Sequence, residues 1–360
     1  MSLDLSKRVR PALVGFEPYD PAFTPCEVNL SANENTHELP AAVREAINAA
    51  LVSTPLNRYP DPLSNELRDV LAERHGVLRS SVMVGNGGDE ILFNLFFAFG
   101  GAGRTLVTCP PDFSEYANFA TMCEMPVKRV WRNADDFSLD VDALVEATKN
   151  AAMVVVTSPN NPTGDLVDHA VIRRLLDETD ALVLVDEAYV EFAPDGSSVI
   201  DWVAENPRLM VLRTLSKAFA LAGLRCGYLV ADPSIIDELS AIRQIYSVDV
   251  LAQATAVAAV KAREELRPVV SDIKAERERL SLRLGNITSL HQWPSEANFI
   301  LVRIPHASQV RQRLRDEFSI LVRDFSYAPG LADCLRITVG TREENDRLVE
   351  ALTSLEKEEA

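Results

Sequence analysis

The chain has little that would staple it, coat it or carry it across a membrane. Its five cysteines (26, 109, 123, 226 and 334) are odd in number, and no two stand in CxxC spacing. That argues against a disulfide framework or a zinc site and fits a reducing compartment. The most apolar stretch, 91–99, is interrupted by Asn94 and falls far short of the ~20 residues needed to span a bilayer. The opening MSLDLSKRVRPALVGFEP is basic but has no apolar core before Pro11, so no secretory signal is expected there. Positive charge is scarce too: 36 Lys and Arg face 53 Asp and Glu, a net charge of −17. Nucleic acid and anionic membrane surfaces are therefore not expected as partners. A small anion remains possible, because a pocket can be locally basic. No repeat or low-complexity tract is present, and the expected location is the cytoplasm.

What is present is an ordinary globular composition, 47% hydrophobic and 25% charged over 360 residues. That is enough for a large core and, at ~150 residues per domain, about two domains. Residues 1–40 are Pro-rich and aperiodic and read as an extended arm. Helical periodicity begins at AAVREAINAAL after Pro40, and a second helix over 65–75 ends at Gly76. Short apolar runs at 105–108, 153–157, 182–185 and 209–212 alternate with helical segments. That is the pattern of a parallel sheet covered on both faces. A long helical region is read from Pro233 past Gln253, then a charged helix (KAERERLSLRL) and strand-like runs at 298–304, 320–322 and 335–339. The division is an arm at 1–40, a large α/β domain at 41–245 and a smaller α+β domain at 246–360.

Three of the mid-chain runs end in polar residues. One leads into SPNNPTG (158–164), one into DEAY (186–189) and one into RTLSK (213–217). Parallel strands share a direction, so Asn161, Asp186, Tyr189 and Lys217 arrive together at the carboxyl edge of the sheet, where open α/β sheets bind ligands. A lysine there can form a Schiff base with an aldehyde cofactor. An aspartate on the neighbouring strand can keep a pyridinium nitrogen protonated. Asn161 and Tyr189 can hydrogen-bond a phenolic oxygen, and Thr214, Ser216 and Arg225 can hold a phosphate. GNGGDE (85–90) leads into a helix read as 91–99, whose N-terminus offers backbone N–H groups to the same phosphate. Taken singly, each piece has a plain structural reading: NPTG is a turn, Asp89 a helix cap, Asp186 a salt-bridged carboxylate, Ser-Lys a solvated pair. Their order and spacing together favour chemistry.

These residues resemble the histidinol-phosphate aminotransferase family of fold-type-I, pyridoxal-phosphate-dependent enzymes. The likeness runs through SANEN (31–35), RYPDP (58–62), GNGGDE (85–90), SPNNPTG (158–164), DEAYVEF (186–192), TLSKAFALAGLRCGY (214–228), SEANFILVR (295–303), LVRDF (321–325) and LRITVGT (335–341). It implies a large cofactor domain with a mostly parallel sheet, a smaller C-terminal domain, and transamination between L-histidinol phosphate and 2-oxoglutarate to give imidazole acetol phosphate and L-glutamate. Lys217 would be the Schiff-base lysine and proton carrier, Asp186 the partner of the ring nitrogen, and Asn161 and Tyr189 the partners of the ring oxygen. Thr214, Ser216, Arg225, Gly88 and Asp89 would cradle the cofactor phosphate, and Phe113 would stack on its ring. Tyr59 would reach that phosphate from the other subunit of a homodimer. Asn33, Asn161, Arg323 and Arg336 would bind substrate, with Arg336 taking the carboxylate of glutamate and the phosphate of histidinol phosphate in turn. Tyr19 is a further candidate for substrate phosphate.

The sequence departs from the family pattern at Ala220, where glycine is usual, at Asp112-Phe113 in place of Thr-Tyr, and at Thr36-His37 in place of Pro-Tyr. Two other activities share the scaffold: aromatic amino acid transamination and decarboxylation of threonine O-phosphate. No metal is implied.

Overall fold

The computed structural model describes residues 7–16 and 24–359; Tyr19 lies outside them. Twelve strands are formed among the described residues: β1 (Val28–Leu30), β2 (Val82–Gly85), β3 (Leu106–Thr108), β4 (Val127–Arg129), β5 (Met153–Thr157), β6 (Leu182–Asp186), β7 (Leu209–Thr214), β8 (Gly227–Val230), β9 (His291–Gln292), β10 (Phe299–Arg303), β11 (Ile320–Asp324) and β12 (Cys334–Thr338). They make a seven-stranded sheet in the order β2-β8-β7-β6-β5-β3-β4 and a five-stranded sheet in the order β1-β11-β12-β10-β9.

The large sheet is parallel from β4 through β7, and β8 runs against both β7 and β2. Its strands are apolar on both faces because both faces are covered. Along β5, Met153 and Val155 belong to one apolar layer and Val154 and Val156 to the other. The helices Gly87–Phe99, Glu115–Met122 and Pro233–Ile242 pack the first layer; Ala41–Val52, Asn65–His75 and His169–Glu178 pack the second. β7 runs two residues further than its apolar stretch because Arg213 is buried within an ion-pair cluster. It reaches Glu187 at 2.8 Å and Glu191 at 2.9 Å and donates to Ser198 Oγ.

Three readings of the sequence change here. Residues 1–40 are not an arm throughout: Val28 and Leu30 are buried, and β1 pairs in parallel with β11, Val28 opposite Ile320. Three residues are too few to show a period, so the strand is set by its distant partner. The helical region after Pro233 is two helices, Pro233–Ile242 and Val250–Lys261. Asp249 caps the second by accepting from the backbone N–H of Leu251 and Ala252, and Tyr246 between them sits at φ 59°. Finally, the helix after β2 begins at Gly87, so Gly88 and Asp89 occupy its first turn. Among the described residues, no helix is long and apolar enough to cross a membrane.

Candidate active site

The carboxyl ends of β5, β6 and β7 open onto a cavity of about 540 Å³. Register sets this convergence: Thr157 at the end of β5 lies beside Asp186 on β6, and Asp186 beside Leu212 on β7. Lys217, one turn beyond β7, projects into the cavity and donates from Nζ to the Ala32 carbonyl at 2.9 Å. Desolvation by the pocket walls, then the positive charges of Arg336 and Arg225, bring its amine down to about 8. Asp186 is pushed up to about 6 by burial, opposed by the hydrogen bonds it accepts from Tyr116 Oη at 2.6 Å and Ala188 N at 3.0 Å.

One end of the cavity is shaped for a small anion. Gly88 and Asp89 present the N-terminus of Gly87–Phe99, with Thr214, Ser216 and Arg225 opposite. Arg225 sits in the left-handed region at φ 54°, and its guanidinium donates to Asp89 at 2.9 Å. Glycine is required at two points of this cradle. A Cβ on Gly87, at φ +81°, would stand 2.7 Å from Arg225 Nη2, and one on Gly227 would stand 2.7 Å from the backbone nitrogen of Gly88.

The small sheet supplies the other end. Arg323 on β11 and Arg336 on β12 lie opposite each other in register, and both line the cavity. Arg336, only 7% exposed, donates to Asn161 Oδ1 at 2.6 Å and to the Ser31 carbonyl at 2.7 Å. Its guanidinium faces the rings of Phe299 and Phe325 at 5.4 and 5.3 Å. Asn33, at φ 53°, is held by Thr338 and Asn298 and donates from Nδ2 to Tyr189 Oη at 3.0 Å. The 31–35 loop thus ties the small sheet to the mouth of the large one.

Among the described residues, every site residue read from the sequence lines this cavity except Tyr59. Tyr59 is 82% exposed and stacks on Tyr246 with centroids 4.7 Å apart. Thr36 and His37 do not line the cavity. Phe113 lines it and meets Tyr116 edge-on at 5.5 Å. Further lining residues escaped the sequence reading, among them Thr157, Glu115 and Tyr116. The available signal was the Phe113-x-x-Tyr116 spacing, which puts two aromatics on one side of the turn that opens a helix.

Ala220 occupies the left-handed region at φ 56°, where a Cβ is strained. We expect Ala220→Gly to stabilise the fold by up to ~1 kcal/mol, relief of strain outweighing the entropy added to the unfolded chain. A thermal midpoint lower than wild type would contradict this.

The sequence matches the aminotransferase class I and II family over residues 26–352. It is 38% identical to a histidinol-phosphate aminotransferase of Chlorobaculum tepidum over 350 residues, covering 96% of this chain and 100% of that protein. It is 40% identical to histidinol-phosphate aminotransferase 1 of Carboxydothermus hydrogenoformans over 344 residues, 95% and 96% of the two chains. Its fold superposes on the histidinol-phosphate aminotransferase of Sinorhizobium meliloti, solved with pyridoxal 5′-phosphate, with a TM-score of 0.87 at 26% identity over 98% of both chains.

Proposed function

The chain belongs to the class I and II aminotransferases and, within them, to the histidinol-phosphate aminotransferases, and on that premise we propose that it transfers the amino group of L-histidinol phosphate to 2-oxoglutarate. The observation that carries this reading is the joining of two kinds of site in one cavity. A lysine–aspartate pair suited to pyridoxal phosphate lies on the large sheet, and an arginine pair suited to a substrate anion lies on the small one.

The residues fit the cofactor. Glycine at 87 and 227 lets Arg225 and the Gly88 backbone close up at the anion end of the cavity, since a Cβ on either would strike one of them. The donors around it, Ser216, Thr214, Arg225 and the first-turn N–H groups, match an anion. Bound pyridoxal phosphate supplies a reactive carbonyl carbon and a protonated ring that withdraws electrons from the bonds at the substrate's Cα.

Lys217 would hold that carbonyl carbon at rest and, once displaced by a substrate amine, move a proton between the substrate's Cα and the cofactor's C4′. An amine with a midpoint of about 8 has about a tenth of its molecules neutral at pH 7, against ~0.04% at the ordinary 10.4. That neutral fraction is what makes it a competent base. Asp186 would hold the proton on the ring nitrogen, and Asn161 and Tyr189 would bind the ring oxygen. Arg336, with Arg323 beside it, would take the phosphate of one substrate and the carboxylate of the other. A single anion site suits an enzyme that admits two substrates in turn.

We further read the protein as a cytoplasmic homodimer. Support comes from an exposed apolar group around the Tyr59–Tyr246 stack that includes Leu56, Leu63 and Ile245. On this reading Tyr59 reaches the cofactor phosphate of the neighbouring subunit.

The test is a substrate panel: L-histidinol phosphate, phenylalanine, tyrosine and threonine O-phosphate, each with and without 2-oxoglutarate. We expect kcat/KM for histidinol phosphate to exceed that for the aromatic amino acids by ~100-fold or more, about 2.7 kcal/mol of discrimination. Equal rates with phenylalanine would overturn the substrate assignment, and release of carbon dioxide without a keto acid would overturn transamination itself.

A further inference from the structure

Asp186 does not stand alone in the floor of the cavity. Tyr116, 1% exposed, enters from the helix Glu115–Met122 and donates its hydroxyl proton to Asp186 Oδ2 at 2.6 Å. The same phenolic oxygen lies 2.8 Å from Thr157 Oγ1. A phenol has one proton to give. With that proton directed at Asp186, the Thr157 hydroxyl must be the donor in the second bond. The order of donation is therefore fixed, from Thr157 to Tyr116 to Asp186, ending on a carboxylate whose other oxygen accepts from Ala188 N.

We propose that Tyr116 is a positioning residue that sets the basicity of Asp186 through this chain, so that the proton shared with a bound pyridine ring stays on the ring nitrogen. The proposal rests on the reading that Asp186 faces that nitrogen.

The physical argument concerns where one proton sits. Burial makes Asp186 a stronger base than an aspartate in water, and the nearby carboxylates of Asp89 and Glu187 push in the same direction. Asp112, itself pushed up to about 7 by burial, adds negative charge around Tyr116 where it is ionised. Left uncorrected, such a carboxylate would take the proton from a weakly basic ring nitrogen, and the pair would become two neutral groups. A neutral ring withdraws electrons less well. A short phenol-to-carboxylate hydrogen bond stabilises the charged carboxylate and weakens it as a base. The ring of Tyr116 does a second task, because it braces Phe113 edge-on at 5.5 Å and 85°. Tyr116→Phe keeps that brace and removes the hydroxyl, and with it the bond donated to Asp186 and the one accepted from Thr157.

The experiment uses holoenzyme reconstituted with pyridoxal phosphate carrying ¹⁵N in the ring. In wild type we expect the nitrogen signal at the protonated position from pH 6 to pH 9. In Tyr116→Phe we expect it displaced toward the unprotonated pyridine. Should that variant not fold, Thr157→Val removes the upstream donor alone, and a smaller displacement of the same sign is expected. A wild-type nitrogen signal in the folded variants overturns the proposal. An Asp186→Asn holoenzyme that keeps the wild-type signal would instead overturn the placement of Asp186 against the ring, a separate failure.

Discussion

Replacing Lys217 with alanine should abolish turnover while leaving a folded protein. The loss in kcat should reach ~10⁴-fold or more, because one side chain both holds the cofactor covalently and carries the proton, and proton transfer alone contributes ~10²–10⁴. Stability should hold or rise. The amine sits in a desolvated site between the positive charges of Arg336 and Arg225, a cost to the fold that the substitution removes. Cofactor should still bind through the glycine cradle and Arg225, but the visible absorbance of the lysine-linked form should disappear. Two measurements decide the matter: the visible spectrum of the purified variant and its single-turnover rate with L-glutamate. Wild-type turnover, or an unchanged spectrum, would remove Lys217 from its assigned role.

The second large effect is expected at Arg336. Its alanine variant should lose ~10²–10³ in kcat/KM for histidinol phosphate and for glutamate alike. Truncating one partner of a buried charge pair costs about 2–5 kcal/mol, and both substrates are proposed to present their anion to this one guanidinium. Arg336→Lys keeps the charge but not the planar fork and should fall between. The alternative is a purely structural arginine, bonded to Asn161 and Ser31 to close the two sheets together. That alternative would lower the thermal midpoint and leave KM for both substrates alone. Damage confined to one half-reaction would show that the two substrate anions are bound at different places.

The parts of this site that could be read from the sequence are those whose position is set locally. Asp186 follows an apolar run directly and Lys217 stands five residues beyond one, so the strand direction delivers both to the same edge. The arginine pair was read as strand residues among apolar neighbours in LVRDF and LRITV, and only the family resemblance gave it a substrate anion to bind. Tyr116 and Thr157 could not, because their meaning lies in contacts across 70 and 41 positions of sequence. Nothing in EYANFATM distinguishes a tyrosine that holds a carboxylate from one that fills a core. β8 was missed because GYLV is short and follows directly on the TLSKAFALAGLRC loop, and only its antiparallel pairing with β2 and β7 makes it a strand. The break at 243–249 was hidden for a different reason. Helical periodicity persists on both sides of it, and the local chemistry of Asp249 restarts the helix. Tyr59 lies outside the cavity, where no reading of a single chain could join it to the site.

The pairing of β1 with β11 has a consequence for how the protein is made. Val28 is opposite Ile320, so the edge of the small sheet unites the beginning of the polypeptide with a segment synthesised almost three hundred residues later. At ~5–20 residues per second of synthesis, the first strand waits some tens of seconds for its partner. The seven-stranded sheet, complete at Val230, can close in the meantime. The floor of the cavity can therefore form first, and the wall that carries Arg323 and Arg336 only after β11 and β12 have been made. A nascent chain arrested before residue 320 would hold the aspartate and the lysine in place without the arginines that are to face them.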